Sequence, residues 1–303
     1  MLEFVKPGTF IDFMKYRWYA ITFSIIISLA GIASMAIHGF NYGIDFAGGT
    51  VIQVKFLKNV SADDIRKSLT PMGLQNERIQ GVGPATNNEF LIRTAKNEEI
   101  EKGLSQNIQN ALAASFGKDN VRINSVDMVG GTVSKDIKTK GLLSMIYACL
   151  GLLIYVWWRF EFRFSIGAIV ATLHDVIVVV GILSLFKKEV DLTVVASVLT
   201  LIGYSLNDTV VVFDRIRENI RKQQSPNYDL GHIMSLSISQ TLSRTLLTAF
   251  TVFIVVLVLF LKGGAVIHNF AFVMLIGVIV GCYSSIFIAS PVVLFMSKGN
   301  KSS

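Results

Sequence analysis

Three ionisable residues lie inside long apolar stretches of this sequence, where a charged side chain is costly and is by default a functional candidate. Asp175, Asp208 and Arg244 occupy the third, fourth and fifth of six such stretches. At about 1.5 Å rise per helical residue, Asp175 lies roughly 16 Å, and the other two roughly 14 Å, from the same side of the apolar layer. All three therefore reach one level, near the middle of a layer about 30 Å thick.

A shared level favours an interaction between these acids and the arginine. A carboxylate buried alone takes up a proton instead of staying charged, and a nearby arginine favours the ionised form. An aspartate whose charge depends on its distance from an arginine can therefore carry protons. A static ion pair that joins two helices is the alternative interpretation.

Hydroxyl residues continue the polar character of the fifth stretch. Ser237, Thr241, Arg244, Thr248 and Thr251 succeed one another at steps of three and four, so they share one face of a helix. Such a face suits a bundle interior or a file of water, because lipid cannot satisfy it.

Other candidate sites have weaker support. His174 precedes Asp175, but consecutive helical residues do not share a face, so we expect a packed or hydrogen-bonded histidine. No second His or Cys stands at metal-ligand spacing, which argues against a metal site. The Gly277–Gly281 pair is typical of helix packing, and Walker, HExxH, GxSxG and dinucleotide motifs are absent from the sequence. The sequence therefore does not predict an enzyme or a bound cofactor.

The composition explains how these residues are positioned. Hydrophobic residues make up 52% of the 303, charged residues 16%, and the mean hydropathy is +0.55, values that exclude a disordered chain or a single water-soluble domain. Six stretches are long enough to span a bilayer as helices: 18–38, 141–160, 164–186, 190–214, 240–261 and 268–296. The first lacks the cleavage pattern of a signal peptide.

Charge placement predicts the orientation of these helices. Short flanks on the side of the N-terminus are rich in Lys and Arg, whereas the opposite short loops hold only Lys187, Lys188 and Lys262. By the positive-inside rule both termini are cytoplasmic. The net charge of +7 is thus an orientation signal, and no basic run alternates with aromatics as nucleic-acid binding would require.

The region after the first stretch is polar and alternates short elements. Strand, helix, strand, strand, helix and strand patterns follow in the order β-α-β-β-α-β, which is typical of a ferredoxin-like domain: Thr50–Phe56, Ser61 to Pro71, Arg78–Val82, Phe90–Thr94, Asn97 to Gly117 and Val121–Val126. Ser61 and Asp64 have the spacing of a helix cap.

The sequence therefore predicts an α-helical polytopic membrane protein with six transmembrane helices and one α+β, ferredoxin-like extracytoplasmic domain. The predicted divisions are a cytoplasmic N-terminus at 1–17, transmembrane helix 1 at 18–38, a periplasmic α+β domain at 39–140, transmembrane helices 2–6 with short loops at 141–296, and a cytoplasmic C-terminus at 297–303.

A charged segment follows the fourth span. Residues 214–222 include Asp214, Arg215 and Arg217 and place Ile216 and Ile220 on one side of a helix. Either an amphipathic helix in the membrane interface or a docking and switch segment would have this pattern.

Several of these segments together resemble a known family. Gly43-Ile44-Asp45-Phe46-Ala47-Gly48-Gly49-Thr50 follows the first span, Gly203 to Asn219 closes the fourth span, and Leu242-Ser243-Arg244-Thr245 lies in the fifth. With His174-Asp175 they resemble the SecD/SecF family of bacterial protein export, within the resistance-nodulation-division superfamily. The resemblance extends from about Met1 to Lys298.

The resemblance implies a role and a set of partners. It implies half of a twelve-span unit, a separate SecD chain as the other half, and association with the SecYEG channel, the SecA motor and the accessory subunit YajC in the bacterial inner membrane. The unit would use the proton gradient to promote late preprotein translocation, with membrane lipid around it. Asp208 would be the main proton carrier, Arg244 its charge partner, and Thr248 and Asp175 further members of the relay.

Glycines bracket the predicted outer domain. Gly48 and Gly49 precede its first predicted strand, and Gly130 and Gly131 follow its last one. Glycine tolerates the backbone changes of a hinge. Re-packing of the Asp208 and Arg244 helices on protonation would then move this domain. A proton-driven exporter half for small molecules or lipids, and a purely structural assembly subunit, remain as alternatives.

Overall fold

The computed structural model describes residues 9–72, 74, 78–82, 87–94, 103–223 and 228–299. The chain divides into two compact units. The first contains the N-terminal part up to Asn41, Ser144–Phe260 and the part from Asn269 onward, and the second contains Tyr42–Leu143 and Leu261–His268. The second unit overlaps the predicted outer domain at 39–140.

Six helical segments of the described chain are long and apolar enough to cross a membrane, which confirms the expected number. The helices are α1 (Arg17–His38), α5 (Gly131–Arg159), α6 (Phe162–Leu185), α7 (Leu192–Arg221), α8 (Leu230–Lys262) and α9 (Gly264–Ser284), the last continued by a π-helical turn (Ser285–Ala289) and α10 (Ser290–Gly299).

Helix α8 begins at Leu230, well before the predicted start at 240. The serines of this first part lowered its hydropathy, yet they are satisfied inside the helix. Ser237 Oγ donates to the Ile233 carbonyl at 2.7 Å, and Ser239 Oγ donates to the Ser235 carbonyl at 2.8 Å. Helices α5 and α7 also extend beyond the apolar stretches, to Gly131 and Arg221 respectively.

Close helix contacts in the first unit depend on glycine. A Cβ on Gly181 would meet the backbone of Gly31, so α1 and α6 touch directly there. A Cβ on Gly277 would lie 2.6 Å from Leu201 Cδ1, and one on Gly281 would lie 3.2 Å from Ser205 Cβ. The predicted packing role of Gly277 and Gly281 is thereby confirmed, with α7 as the helix they approach.

The described segment before α1 docks on α8. Met14 is 2% exposed, and its backbone N–H donates to Ser235 Oγ at 3.2 Å. The Ile11 N–H donates to Ser239 Oγ at 3.1 Å. The serine face of α8 is thus used for contacts within the chain.

The second unit has the predicted ferredoxin-like order. Its elements are β2 (Gly49–Phe56), α3 (Ala62–Leu69), β3 (Arg78–Val82), β4 (Glu89–Thr94), α4 (Leu104–Phe116) and β5 (Val121–Val129). The described chain also contains the short elements β1 (Asn41–Tyr42), α2 (Ile44–Ala47) and β6 (Glu189–Val190), and 3-10 turns at Phe13–Tyr16, Thr70–Met72 and Lys118–Asn120. The antiparallel sheet has the order β3-β4-β2-β5. Ile52 of the central strand β2 is fully buried beside Ile108 of α4 in one apolar cluster.

Helix α3 starts as the sequence predicted. Ser61 accepts from the Asp64 N–H and Asp64 accepts from the Ser61 N–H, which is a complete capping box. The predicted start of the second helix near Asn97 and most of the turn at 83–88 lie outside the described residues, and the described helix α4 is Leu104–Phe116.

Candidate functional site

Asp175 of α6 is buried and held by hydrogen bonds from three elements. Its side chain is 1% exposed. Ser205 Oγ of α7 and Ser284 Oγ of α9 both donate to Oδ2, the latter at 2.7 Å. His174 Nδ1 lies 3.0 Å from Oδ1. Asp175 therefore joins α6, α7 and α9 at one point.

Small residues make this junction possible. Gly281 lies one turn before Ser284 and lets α9 approach α7 at Ser205. Both serines can then reach one carboxylate oxygen from different helices. The sequence analysis missed Ser205 and Ser284, although a serine within an apolar span is itself a signal of a buried hydrogen bond.

His174 is a hydrogen-bonded histidine, as expected. Although consecutive helical residues do not share a face, the His174 ring reaches the carboxylate of Asp175. On the other side its ring lies 6.4 Å from that of Tyr283. Tyr283 Oη donates to the Ala20 carbonyl of α1 at 2.8 Å, so the polar cluster extends to a fourth helix.

Asp208 of α7 has a different environment. It is 2% exposed, and its Oδ2 is buried without a hydrogen-bond partner among the described residues. Arg244 lies within electrostatic range, and so do Tyr204 and Cys282. No hydrogen bond within the described residues therefore fixes the position of the Asp208 side chain.

Contacts farther along α7 and α8 show which part of α8 faces Asp208. Asn219 Nδ2 donates to Ser237 Oγ and to Gln240 Oε1, each at 2.8 Å, and Arg215 Nε donates to Gln240 Oε1 at 2.7 Å. The two helices are therefore antiparallel neighbours. Because Asn219 lies opposite Ser237, antiparallel helices place residues an equal number of steps away opposite each other as well. Asp208 is then level with Thr248, which lies one turn from Arg244.

The expected ion pair between Asp208 and Arg244 does not form in this structure. Neither residue takes part in an ion pair of 4.0 Å or less within the described chain. Asp208 is buried while Arg244 is exposed on the surface of the chain, because the described helices cover one face of α8 and leave the other open. Thr248, between these faces, is half-buried.

The predicted polar face of α8 divides along its length. Ser237 is fully buried and bonded to Asn219, whereas Arg244 and Thr251 are exposed. On α7 a matching exposed face carries small and polar residues at steps of three and four: Ala196, Thr200, Gly203 and Asn207. The expectation of an interior face thus holds only for the Ser237 end.

The charged segment after the fourth span is the last part of α7. Ile216 is fully buried and Asn219 is 7% exposed, so this side of the segment packs against the rest of the chain, and the interpretation as an amphipathic helix in the membrane interface stays a prediction. Arg159 Nη2 donates to both Asp214 oxygens, at 2.8 and 3.1 Å, and Arg217 lies 3.7 Å from Asp214. A docking or switch role for this segment stays a prediction.

The glycine motif lies at one end of the sheet in the second unit. Gly48 and Gly49 have φ of 74° and 119°, a region open to glycine but not to most residues. Gly49 pairs with Val129 of β5, which precedes Gly130 and the start of α5 at Gly131. Asp45 lies in the first turn of the short helix α2. The two glycine pairs therefore meet, and their hinge role stays a prediction.

Two family models match the sequence. The model described as "Protein export membrane protein SecD/SecF, C-terminal" matches residues 108–299. The model of the SecD/SecF GG motif matches residues 33–59, which contain Gly48 and Gly49.

Relatives match along almost the whole chain. The protein translocase subunit SecF of Calditerrivibrio nitroreducens is 42% identical over 302 residues, which cover 99% of this chain and 98% of that protein. The protein translocase subunit SecDF of Brucella abortus is 37% identical over 294 residues, which are 97% of this chain but 38% of the relative.

A solved structure shares the fold. The crystal structure of SecDF from Thermus thermophilus, described as a translocon-associated membrane protein, matches with a TM-score of 0.86 at 28% identity. The match covers 96% of this chain and 39% of that one, so this chain spans well under half of the fused protein.

Proposed function

The chain belongs to the SecD/SecF family of bacterial protein-export membrane proteins, on the SecF side, and we propose that it uses the proton gradient to promote late preprotein translocation. Its relatives are named as translocase subunits, which are transport components and not enzymes. The proposal includes a SecD-type partner, the SecYEG channel, SecA and YajC as neighbours, with protons as the coupling species and no other cofactor.

The observation that carries the proposal is the environment of Asp208. A carboxyl group in a buried site without donors changes charge with small changes of its surroundings. Arg244 lies nearby on another helix, outside ion-pair distance. Proton binding at Asp208 and the position of Arg244 are therefore coupled, which is what a proton-driven conformational change requires.

The mechanism follows from this coupling. Arg244 approaches Asp208 when the acid is ionised and moves away when a proton neutralises it, so α7 and α8 re-pack in each cycle. The last two turns of α7, which begin at Asp214, and the Gly48–Gly49 and Gly130–Gly131 pairs would transmit this re-packing. One charge that crosses 100 mV supplies about 2.3 kcal/mol, enough to bias two states but not to unfold a preprotein, so repeated cycles are needed.

The open faces of α7 and α8 support a SecD-type partner. Asn207 and Arg244 are exposed within helices that cross the membrane, and lipid cannot satisfy either side chain. In the SecDF relative and the SecDF structure, this chain matches about two fifths of a longer protein. We infer that a SecD-type half covers this face.

Basic residues support the proposed orientation. Arg159, Arg163, Arg215, Arg217 and Arg221 cluster at the ends of α5, α6 and α7 that lie on one side. By the positive-inside rule this end faces the cytoplasm, together with both termini. The sheet unit then lies on the periplasmic side of the inner membrane.

The test uses export into membrane vesicles that contain the Sec channel, SecA, the SecD-type partner and either the native chain or a variant. Asp208→Asn should reduce export in the presence of a proton gradient to the level driven by ATP alone. The variant should still fold and bind its partner, because no hydrogen bond of Asp208 is lost. Asp119→Asn makes the same chemical change at an exposed residue of the second unit and should export normally.

Other outcomes would reject the proposal. Full gradient stimulation with Asp208→Asn would contradict a proton-carrier role and favour a purely structural assembly subunit. Loss of ATP-driven export together with the gradient effect would show that the substitution damages assembly and not coupling.

A further inference from the structure

An arginine-lined cavity lies at the end of the helix bundle, where α6 begins and α7 ends. Its volume is about 90 Å³, and it lies between α6, α7, α8 and α10. Three arginines line it, Arg163, Arg217 and Arg221, together with one acid, Glu161. A volume of this size holds several water molecules, and hence one phosphate group.

The arginines have donors to spare. Arg217 packs over the Phe160 ring at 5.6 Å, and its Nε is buried without a hydrogen-bond partner among the described residues. Arg221 is exposed and forms no ion pair of 4.0 Å or less within the described chain. Arg163 donates to Ser297 Oγ at 3.2 Å and to Glu161 Oε2 at 3.1 Å. A guanidinium has five N–H donors, so these contacts leave several for a ligand.

The acids near the cavity form their shortest ion pairs with basic residues other than Arg217 and Arg221. Glu161 lies 3.1 Å from Arg163, Asp214 lies 2.8 Å from Arg159, and Glu218 lies 2.6 Å from both Arg215 and Lys222. Among the acids that the structure describes, Asp214 alone forms an ion pair with Arg217, at 3.7 Å. Arg217 and Arg221 can therefore bind an anionic group that is not part of this chain.

Most of the remaining wall is apolar. Tyr228 and Ser297 line it together with five apolar residues at the ends of candidate membrane-spanning helices: Phe164, Ile220, Leu230, Met234 and Val293. A free inorganic anion gains nothing from such a wall. An anionic lipid does, because its glycerol and first acyl carbons lie against apolar side chains while its phosphate reaches the arginines.

We propose that this cavity binds the phosphate group of an anionic phospholipid, with Arg217 and Arg221 as the main ligands. Arginine suits this task because its planar fork can donate two hydrogen bonds to one phosphate. Basic pockets between transmembrane helices on the cytoplasmic side are typical sites for such head groups. The site is separate from Asp208 and does not depend on proton transport by the chain.

The experiment measures lipid binding to the purified full chain in neutral detergent by native mass spectrometry. The chain is titrated with phosphatidylglycerol and, separately, with phosphatidylcholine of the same acyl composition. We expect the native chain to bind phosphatidylglycerol more tightly. Arg221→Gln and Arg217→Gln should each weaken that binding about fivefold, and the double variant about 25-fold. Binding of phosphatidylcholine should not change.

Arg215→Gln is the matched control. Arg215 is on the same helix, but it contacts Glu218 and Gln240 and does not line the cavity. Arg221→Gln is the more informative cavity variant, because an exposed side chain can be replaced without loss of packing. Thermal melting of each variant shows whether it is folded.

Three results would overturn the proposal. Equal affinity of the native chain for both lipids would show that the cavity does not recognise the anionic head group. An equal loss with Arg215→Gln would indicate general charge attraction. Displacement of phosphatidylglycerol by an equal concentration of inorganic phosphate would identify a soluble-anion site instead.

Discussion

Asp175 and Asp208 are buried to the same extent, at 1% and 2% exposure, but within the described chain only Asp175 is hydrogen-bonded. Ser205 and Ser284 hold Asp175 Oδ2 from two other helices, whereas Asp208 Oδ2 is buried without a partner among the residues that the structure describes. Ser205 lies less than one turn from Asp208 on α7, so a fixed acid and an unfixed one are close neighbours in the bundle. Asp175 thus joins three helices through hydrogen bonds, whereas no hydrogen bond within the described chain holds Asp208.

This difference predicts unequal effects on stability. Asp175→Ala leaves the hydroxyls of Ser205 and Ser284 buried without their acceptor, which should cost about 1–3 kcal/mol. Asp208→Ala removes no hydrogen bond and should cost clearly less. Thermal and denaturant unfolding of the two variants in detergent checks this. Equal destabilisation would contradict the assignment of separate roles.

The α7–α9 contact predicts a cost for a single methyl group. Gly277→Ala would place a Cβ 2.6 Å from Leu201, and the forced shift should cost about 1–3 kcal/mol. Gly151→Ala is the control, because a Cβ there meets nothing within 4 Å and alanine favours a helix. It should leave the melting temperature unchanged or raise it. A similar loss in both variants would show that the contact is not tight.

The cap of α3 predicts a pH dependence in the second unit. Hydrogen bonds from the Ser61 hydroxyl, and then from the Ser61 backbone, hold the pKa of Asp64 below its ordinary value of 3.8. Because the folded-state pKa is the lower one, this contribution to stability is present above the unfolded pKa and is lost as the pH falls through the folded pKa. Protection of the α3 amides against hydrogen exchange, corrected for intrinsic rates, should therefore fall between about pH 5 and pH 2.

Two variants test the source of this pH dependence. Asp64→Asn removes the titrating carboxyl group. Ser61→Ala removes the hydroxyl donor but keeps the carboxyl group and the backbone donor. Both should flatten the loss of α3 protection on acidification. A native slope in both would exclude the cap as its cause.

The open face of α7 predicts a partner contact. Gly203 is exposed and a Cβ there meets nothing within 4 Å of the chain itself, so Gly203→Phe should not lower the melting temperature of the chain alone. It should reduce the amount of SecD-type partner that co-purifies, because a large ring would separate the two halves. Undiminished co-purification with Gly203→Phe would place the partner on another face.

Residues close together in the sequence determined much of this protein. Long apolar stretches defined six spans, since crossing a bilayer requires about 20 apolar residues in a row. The Ser61–Asp64 cap and the alternating strand patterns predicted the sheet unit, because both depend on local spacing. The start of α8 was missed for a related reason: Ser237 and Ser239 lower the hydropathy but bond to their own helix.

Only the tertiary structure decided which buried acid is fixed and which is not. The sequence placed Asp175, Asp208 and Arg244 at one depth, but depth does not specify neighbours. Ser205 and Ser284, 30 and 109 residues away from Asp175, both reach its carboxylate, and Gly281 allows the close approach of α9 to α7 at Ser205. Arg244 is exposed because it lies on the side of α8 that the other described helices leave uncovered. Rotation of a helix about its axis, set by packing over the whole bundle, therefore determines the chemistry that each of these residues can perform.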